Sequence, residues 1–377
     1  MARSAHAYVR GNTAKFYEWL DSSHGRAVPQ GPPVWICGDC HSGNLGPVAN
    51  FDGHIEVQIR DLDQTVIGNP AHDLIRLGLS LATSVRGSDL PGVTTARMLE
   101  AMVKGYASAL SRNRDRGDIP KPVHLVMSSA MRRRWRHLAR ERIENTRPTI
   151  PLGRRFWPVT KSESAAIHGL FETVEAHTLV RQMRGRADDA RVAVEDCAYW
   201  MKGCSSLGGL RYAAIVSVSD PSGVNDQFCL MDIKEAVQAV APRYETAEMP
   251  RDNARRVVAG AVHLSPHLGQ RMLATRLLDR SVFVRELLPQ DLKLELDTMS
   301  QYETIDVARY LAATVGRAHR RQLADKDLQD WHKVMRKSTS KTLDAPSWLW
   351  SSIVELIVSH EAGYLDHCRR YASQCSA

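Results

Sequence analysis

The chain has 377 residues, of which 43% are hydrophobic and 24% are charged, and Lys plus Arg outnumber Asp plus Glu by 50 to 42. This length is enough for two or three packing units, and no run reaches the roughly 18 uninterrupted apolar residues that a membrane span needs. Seven scattered cysteines are not the pattern of a disulfide framework, and the polar, basic first twelve residues are not those of a secretion signal. We therefore expect a cytoplasmic protein that makes no membrane contact. Its net charge of +8 suits phosphate-bearing ligands but is too small to indicate nucleic acid.

The first half of the chain is predicted to be mostly helical, with one pair of strands. A helix is expected around Ala14–Leu20, and the extended runs Val34–Ile36 and Ile55–Ile59 are expected to form a strand pair. Asp73–Val85 is apolar nearly all round, which is typical of a buried helix. Helices are expected to continue to about residue 145, with a further helix over residues 164–184.

The second half is predicted to begin with strands and to end with helices. The runs Tyr212–Val218 and Gln227–Ile233 predict a β-hairpin, and Ser281–Leu287 predicts a further strand. Apolar residues from Thr304 onward recur at helical spacing, and residues 347–372 are also expected to be helical. His319 lies on the apolar stripe of the first of these helices and is interpreted as a core histidine. The fold class expected is α+β.

The densest polar cluster, Cys37–Asn44, lies between the first two extended runs. Asp39 and Asn44 have the D-x-x-x-x-N spacing of phosphotransferase catalytic loops, in which the Asp positions or deprotonates the acceptor and the Asn holds a metal ion. Mg²⁺ requires hard oxygen ligands, and Asp39, Asn44 and Asp61 supply them. We predict Asp39, Asn44 and Asp61 as catalytic residues, and Asn44, Asp61 and Asp63 as the metal ligands.

Three other interpretations of this cluster remain open. Cys37–His41 matches C-x-x-C-H, the haem attachment pattern, but that attachment requires export. The same two cysteines and His41 could bind zinc, although no second Cys/His pair lies at the usual spacing, since Cys197 and Cys204 stand alone. A plain turn rich in Gly, Asp and Asn is the third interpretation.

A second polar segment, Gly203–Arg211, is rich in small residues and precedes the predicted hairpin. Small residues in such a loop let backbone N–H groups approach phosphate oxygens. Lys234, at the end of the hairpin, could reach the α- and β-phosphates of a nucleotide as the small-lobe lysine of kinases does. Together with the separate D-x-x-x-x-N motif, these residues predict a nucleotide site.

The order of these motifs is reversed relative to an ordinary kinase, in which the glycine loop and the lysine precede the catalytic loop. Domain termini often lie close together, so circular permutation is tolerated. We therefore expect a circularly permuted, two-lobed, protein-kinase-like fold. Residues 1–190 and 291–377 would form the large helical lobe, with the catalytic loop in the first part, and residues 191–290 the small β-rich nucleotide-binding lobe.

These residues also carry a resemblance to known families. Cys37–Asn44, Arg60–Asp63 and Gly68–Leu74 resemble the catalytic core of aminoglycoside and choline phosphotransferases. Over nearly the whole chain, the sequence resembles the bacterial family of domains of unknown function number 2252, which is itself considered kinase-like. The strings that carry this second resemblance are Ala7–Gly11, Gly38–Asn44, Ser206–Gly208 with Arg211–Tyr212, Ile233–Ala236 and Val284–Leu287.

The resemblance implies phosphotransfer from ATP with Mg²⁺ and assigns roles to residues. Asp39 would be the catalytic base or positioning residue, with Asn44 and Asp61 as Mg²⁺ ligands, and Asp73 would order the catalytic loop. The cofactor-binding residues would be Gly203, Ser205, Ser206, Gly208, Arg211 and Lys234. The helix expected over residues 251–262 lacks the acidic residue that pairs with the small-lobe lysine in kinases, so Glu235, Glu245 or Glu248 would have to replace it.

The sequence therefore predicts an ATP- and Mg²⁺-dependent phosphotransferase acting on a hydroxyl-bearing acceptor, a small molecule in preference to a protein. A nucleotide-binding regulatory pseudokinase and an AMP transferase remain open as alternatives. A nucleic-acid-binding protein is a third alternative, carried by the basic run Arg132–Arg142, although a solvated helix face is the preferred interpretation of that run. The sequence indicates neither the acceptor nor the oligomeric state.

Overall fold

The computed structural model describes residues 4–22, 24–86, 92–111, 118–132, 148–201, 208–220, 226–288, 299–336 and 344–375. Helices and antiparallel strands are mixed along the chain, so the predicted α+β class is confirmed. The helices are α1 (Ala5–Gly11), α2 (Thr13–Asp21), α3 (Pro70–Arg86), α4 (Gly92–Leu110), α5 (Lys121–Arg132), α6 (Lys161–Leu170), α7 (Val174–Arg181), α8 (Asn253–Leu264), α9 (Pro266–Gly269), α10 (Gln301–Arg320), α11 (Asp325–Arg336) and α12 (Ser347–Cys375). The strands are β1 (Val34–Ile36), β2 (Leu45–Ala49), β3 (Ile55–Ile59), β4 (Val66–Gly68), β5 (Phe156–Trp157), β6 (Arg191–Trp200), β7 (Arg211–Ser219), β8 (Asp226–Glu235), β9 (Met272–Leu277) and β10 (Arg280–Leu287).

One six-stranded antiparallel sheet has the strand order β5-β6-β7-β8-β10-β9. Strand β7 is apolar along nearly its whole length because both of its faces are covered. On one face, Tyr212 and Val216 belong to a core that contains Ile167 and Phe171 from the α6 region. On the other face, Ala213 and its neighbours pack in a smaller cluster with residues of β5 and β6. The predicted β7–β8 hairpin and the strand at Ser281–Leu287 are confirmed.

The largest core lies among the helices, where α3 is surrounded by α1, α4, α10 and α12. Leu74, Ile75 and Leu77 of α3 are fully buried, as the all-round apolar pattern of this helix predicts. Two short antiparallel pairs, β1–β4 and β2–β3, lie against this core, and the chain turns between them carry the polar motifs. Helix α8 packs on β9 and β10 of the large sheet and on β1, so it bridges the sheet and the helical part.

Two sequence-based expectations about the elements are wrong. Val34–Ile36 and Ile55–Ile59 do not pair with each other, because β1 pairs with β4 and β3 pairs with β2. Residues 164–184 form parts of two helices, since Thr173 caps a new helix with its side chain on Ala176 N. The glycine-rich segment lies between β6 and β7 along the chain and so precedes the β7–β8 hairpin, as the sequence predicts.

No helix in the described ranges is both long and apolar enough to cross a membrane.

Candidate functional site

The loop from Cys37 to Asn44 is held against the loop that follows β3. Gly38 has φ of +74°, and a Cβ at this position would lie 2.2 Å from the Gln64 carbonyl oxygen, so only glycine fits here. From the other side, the buried Asp73 carboxylate accepts hydrogen bonds from Cys37 N at 2.8 Å and Gly38 N at 3.0 Å. His319 Nε2 lies 3.2 Å from the same carboxylate. These contacts confirm that Asp73 orders the loop and that His319 is a core histidine.

Asp39 lies at the centre of this loop and remains partly exposed, with 19% of its side chain accessible. Arg76 Nε, from the buried helix α3, donates to Asp39 Oδ1 at 2.9 Å. His41 Nε2 lies 3.9 Å from Asp39 Oδ2. Burial lowers the pKa of His41 to about 4, although Asp39 acts in the opposite direction, so this imidazole is neutral at pH 7. Arg76 therefore engages Oδ1 of the partly exposed Asp39 carboxylate, and Oδ2 is the oxygen on the side of His41.

Asn44 is fixed beside Asp39 by its own side chain. Its Nδ2 donates to the Asp39 carbonyl oxygen at 3.0 Å, which leaves the amide oxygen as the atom that can face a cation. The Asn44 carbonyl accepts from Arg60 N at 2.8 Å, because β2 begins directly after Asn44 and pairs with β3. The residue after Arg60 is Asp61, so the hairpin register brings two of the three predicted metal ligands, Asn44 and Asp61, to the same end of the β2–β3 pair.

Lys234 of the large sheet reaches this end of the hairpin and forms an ion pair with Asp63. Burial raises the pKa of Asp61, but the positive charges of Lys234 and Arg285 outweigh it and hold that pKa well below its usual value. The pKa of Asp63 is raised, by burial and then by the Asp61 charge. Burial lowers the pKa of Lys234, but Asp61 and Asp63 more than compensate and raise it. Lys234 is therefore a fixed cation beside an ionised Asp61.

The carboxylate that pairs with Lys234 is therefore that of Asp63. The expectation that Glu235, Glu245 or Glu248 pairs with this lysine is wrong, since Glu235 accepts from Leu210 N at 2.8 Å. The corresponding helix, α8, places Arg256 close to the same loop. Arg256 donates to the carbonyl oxygens of Thr65, Asp63 at 3.0 Å and Val237 at 2.8 Å, and so joins α8 to the Asp61–Thr65 segment.

Arg211, predicted to bind the cofactor, lies in a buried ion pair within the sheet. Its Nε and Nη2 donate to the two oxygens of Asp232 at 2.9 and 2.7 Å, and its guanidinium lies over the Trp200 ring. Arg285 Nη2 also donates to Asp232, at 3.2 Å, and its Nη1 donates to the Arg60 carbonyl at 3.0 Å. Arg211 lowers the pKa of Asp61 through its charge, after Lys234 and Arg285.

Of the predicted phosphate loop, Gly203, Ser205 and Ser206 lie outside the described residues. Gly208 is described and has φ of +85°, a conformation that favours glycine at the turn before β7. The basic run Arg132–Arg142 is described only as far as the backbone of Arg132.

Residues 1–370 match the family model described as an uncharacterized protein conserved in bacteria (DUF2252). The chain belongs to the DUF2252 family. The match covers the Cys37–Asn44 loop, the Asp61–Asp63 segment and Lys234 alike, so the whole candidate site belongs to the family region. No curated protein and no solved structure matches this DUF2252 chain.

The donor set of the DUF2252 site suits a hard cation that is shared with a phosphate group. Within the described ranges, no group of three or more His, Cys, Asp and Glu side chains is placed to hold a metal ion. Asp61 and the amide oxygen of Asn44 form a smaller set of one carboxylate and one neutral oxygen, with Asp63 beside Asp61. Mg²⁺ is commonly held by one or two carboxylates together with substrate phosphates and water. These residues therefore fit Mg²⁺ bound together with a nucleotide.

Three arginines of this site in the DUF2252 chain were not predicted from the sequence: Arg76, Arg256 and Arg285. The signal for Arg76 was a charge in the middle of an otherwise apolar helix, which requires a buried partner. Arg285 gave a similar signal, since it follows Val284 in an apolar strand. Arg256 gave no such signal, because α8 also carries the exposed Arg255 and the sequence does not show which of the two faces inward.

Proposed function

We propose that this protein is an ATP- and Mg²⁺-dependent phosphotransferase with a permuted kinase-like fold, acting on the hydroxyl group of a small molecule. The observation that carries the proposal is the ion pair between Lys234 and Asp63. It joins β8, the second strand after the glycine-rich connection, to the loop that holds the candidate metal ligands, although Lys234 and Asp63 are 171 residues apart. Kinases require the same juxtaposition of a strand lysine, a metal-binding Asp and a catalytic-loop Asp and Asn.

Each side chain has a defined part in this reaction. Lys234 binds the phosphates of the nucleotide, and Asn44 and Asp61 would hold Mg²⁺, which supplies neutralisation of phosphate charge when it is bound. Asp39 accepts a hydrogen bond from the acceptor hydroxyl and orients its oxygen toward the γ-phosphorus. A P–O bond forms to the acceptor, the bond between the γ-phosphorus and the bridging oxygen breaks, and ADP leaves. The hydroxyl proton passes to Asp39 and then to solvent.

Calorimetric titration of ATP with Mg²⁺ into the wild type and three variants tests the nucleotide site. Lys234→Ala and Asp61→Asn each remove a charged partner of the phosphates or the metal, so we expect roughly tenfold to hundredfold weaker binding in each. Lys161→Ala is the matched control, because Lys161 is exposed at the start of α6, and it should bind as the wild type does. A folded wild type that binds no nucleotide at millimolar sensitivity would overturn the proposal.

Product analysis separates the remaining alternatives. Phosphotransfer or hydrolysis yields ADP, whereas adenylyl transfer yields pyrophosphate, and the two are resolved by chromatography. Asp39→Ala should lose turnover by at least a hundredfold while retaining nucleotide binding. Turnover that survives this substitution would remove Asp39 from the mechanism.

A regulatory pseudokinase is the second candidate. It is favoured by one observation, namely that α8 presents Arg256 to the site where kinases have an acidic residue. Tight nucleotide binding without any turnover would select it.

A further inference from the structure

Two guanidinium groups, those of Arg76 and Arg10, contact the Cys37–Asn44 loop. Arg76 of α3 is fully buried; its Nε donates to Asp39 Oδ1 at 2.9 Å and its Nη2 to the Val9 carbonyl at 2.7 Å. Arg10, in the last turn of α1, lies directly on Gly43. A Cβ added to Gly43 would be 2.7 Å from Arg10 Nη2 and 2.8 Å from its Cζ, so the absence of a side chain at Gly43 makes room for this guanidinium. Both cations are thus positioned by the backbone of the catalytic loop and of α1.

Both guanidinium groups carry buried nitrogen atoms without an acceptor. Arg10 Nε and Arg76 Nη1 are inaccessible to solvent and have no hydrogen-bond partner within the described part of the chain, and neither does the neighbouring His41 Nδ1. A buried charged donor that lacks a partner costs free energy, and native proteins rarely leave one without a reason. An anion that binds at this position would remove the cost for both arginines.

The charges near the loop also lack a balancing anion. Asp39 is the carboxylate paired with Arg76, and the Asp73 carboxylate is engaged by two backbone N–H groups and His319. Among the described residues, no carboxylate is left to pair with Arg10. One unit of positive charge therefore remains at Gly43, in the same loop as Asp39.

We propose that the acceptor is an anionic hydroxy compound whose carboxylate or phosphate group is bound by Arg10 and by Arg76 Nη1. This inference rests on the proposed phosphotransferase function and names the substrate class of the same site. Guanidinium groups bind carboxylate and phosphate oxygens through paired, charge-assisted hydrogen bonds. An anion held there presents its own hydroxyl group to Asp39 Oδ2, and the bonds that form and break are those of the reaction above. The same positive charge disfavours polycationic acceptors, because they would meet Arg10 at close range.

Ligand probes that differ in one group test this subsite. Inorganic phosphate supplies the oxyanion alone, glycerate a carboxylate with two hydroxyl groups, glycerol 3-phosphate a phosphate with two hydroxyl groups, and glycerol no charge. We expect calorimetric titration of the wild type to show binding of phosphate and of at least one of the two anionic glycerol derivatives, and at least tenfold weaker binding of glycerol. The stronger of glycerate and glycerol 3-phosphate identifies the anionic group. A wild type that binds no anion, or that binds glycerol equally well, would overturn the inference.

Four variants locate the bound anion. Arg10→Gln removes the charge, and we expect it to weaken anion binding at least tenfold while MgATP binding stays unchanged. Gly43→Ala displaces the Arg10 guanidinium but keeps its charge, so this variant should also weaken anion binding. It replaces Arg10→Gln in the test if Arg10→Gln does not fold. Arg26→Gln is the matched control because Arg26 is an exposed arginine in the short turn His24–Ala27. Lys234→Ala should bind the anion as tightly as the wild type does and should bind MgATP more weakly.

The pattern across these variants separates this inference from the proposed function. Loss of phosphate binding in Lys234→Ala but not in Arg10→Gln would place the anion in the nucleotide site and overturn the inference alone. Anion binding that depends on Arg10, in a wild type that binds no MgATP, would overturn the phosphotransferase proposal and leave the anion subsite standing.

Discussion

Asp73 is completely buried, and its carboxylate receives hydrogen bonds from two separate parts of the chain. Two of the donors are backbone N–H groups of the Cys37–Asn44 loop, at Cys37 and Gly38, and the third is His319 of α10. His319 is itself held by Tyr106, whose hydroxyl lies 3.0 Å from His319 Nδ1. The position of the loop that carries Asp39 therefore depends on a chain of buried polar contacts that extends into the helical core.

The first prediction follows from this chain of contacts. Asp73→Asn keeps the size of the side chain but replaces one acceptor oxygen with an NH₂ group, which would face other donors. We expect a loss of about 3–5 kcal/mol in the free energy of unfolding, as for other broken buried charge networks. Urea denaturation measures it. Asp366→Asn is the control, since Asp366 pairs with Arg370 on the exposed face of α12, and it should cost less than about 1 kcal/mol. Equal losses in the two variants would contradict the buried role of Asp73.

At the scale of the elements, α8 is the helix that joins the sheet to the loop after β3. Gly260 of this helix touches Thr65, since a Cβ at Gly260 would lie 2.4 Å from Thr65 Cγ2 and 2.5 Å from its Oγ1. Thr65 cannot easily move away, because its Oγ1 donates to the Ile36 carbonyl at 2.6 Å. The backbone of α8 at Gly260 therefore packs directly against Thr65 of the loop. Arg256 donates to the carbonyl oxygen of the same threonine.

The second prediction compares two glycine-to-alanine changes in helices. Alanine is the better helix former by about 1 kcal/mol, so an open position should gain stability from the change. Gly169→Ala in α6 meets no atom within 4 Å, and we expect a gain of a few tenths to about 1 kcal/mol in the free energy of unfolding. Gly260→Ala should instead lose about 1–3 kcal/mol, because the added methyl group collides with Thr65. Chemical denaturation of both variants measures the difference in the free energy of unfolding. A higher free energy of unfolding in Gly260→Ala than in the wild type would show that α8 does not pack tightly against the loop.

Three of the strands that were not predicted from the sequence, β6, β2 and β4, depart from the usual strand pattern. Strand β6 carries Glu195 and Asp196 in its middle and has an irregularity between Val194 and Asp196, so its alternation is broken. Strand β2 contains Pro47, which usually argues against a strand, and it is accommodated because the β2–β3 sheet has only two strands. Strand β4 has only three residues. The long apolar helices α3 and α10 were predicted, because their patterns extend over several turns.

For the whole molecule, the sequence showed which residues carry chemistry but not which of them meet. Asp39, Asn44 and Asp61 stand in a recognisable local order, so they could be predicted. Two contacts join segments that are distant in the sequence: Lys234 contacts Asp63, and Arg10 contacts Gly43. No local sequence pattern predicts either contact. Such contacts are set by how the sheet packs on the helical core, through α8 and the short strand pairs.

The third prediction concerns the pH dependence of folding. Three histidines in different parts of the helical core, His41, His72 and His360, have their pKa lowered to about 4, in each case chiefly by burial. Each has a ring nitrogen that is buried without a partner in the described part of the chain. Protonation of these side chains therefore favours the unfolded chain, in which their pKa is near 6.5.

Because these pKa values are lowered in the fold, the stability that they contribute is present above pH 6.5 and is lost as the pH falls toward 4. Near pH 5 the unfolded chain binds about three more protons at these sites than the folded chain. The free energy of unfolding should therefore fall by about 3–4 kcal/mol per pH unit there. The raised pKa of Asp63 acts in the opposite sense, but it involves a single proton.

Urea denaturation of the wild type, His72→Gln and His54→Gln at pH 7, 6 and 5 measures this slope. His72→Gln removes one buried titrating group, so the slope near pH 5 should become shallower by about 1 kcal/mol per pH unit, whatever the variant does to stability at pH 7. His54 is exposed beside the β2–β3 turn, and its replacement should leave the slope unchanged. If the slopes of all three proteins coincide, His72 does not contribute to the acid sensitivity of the fold, and the prediction is wrong for this side chain.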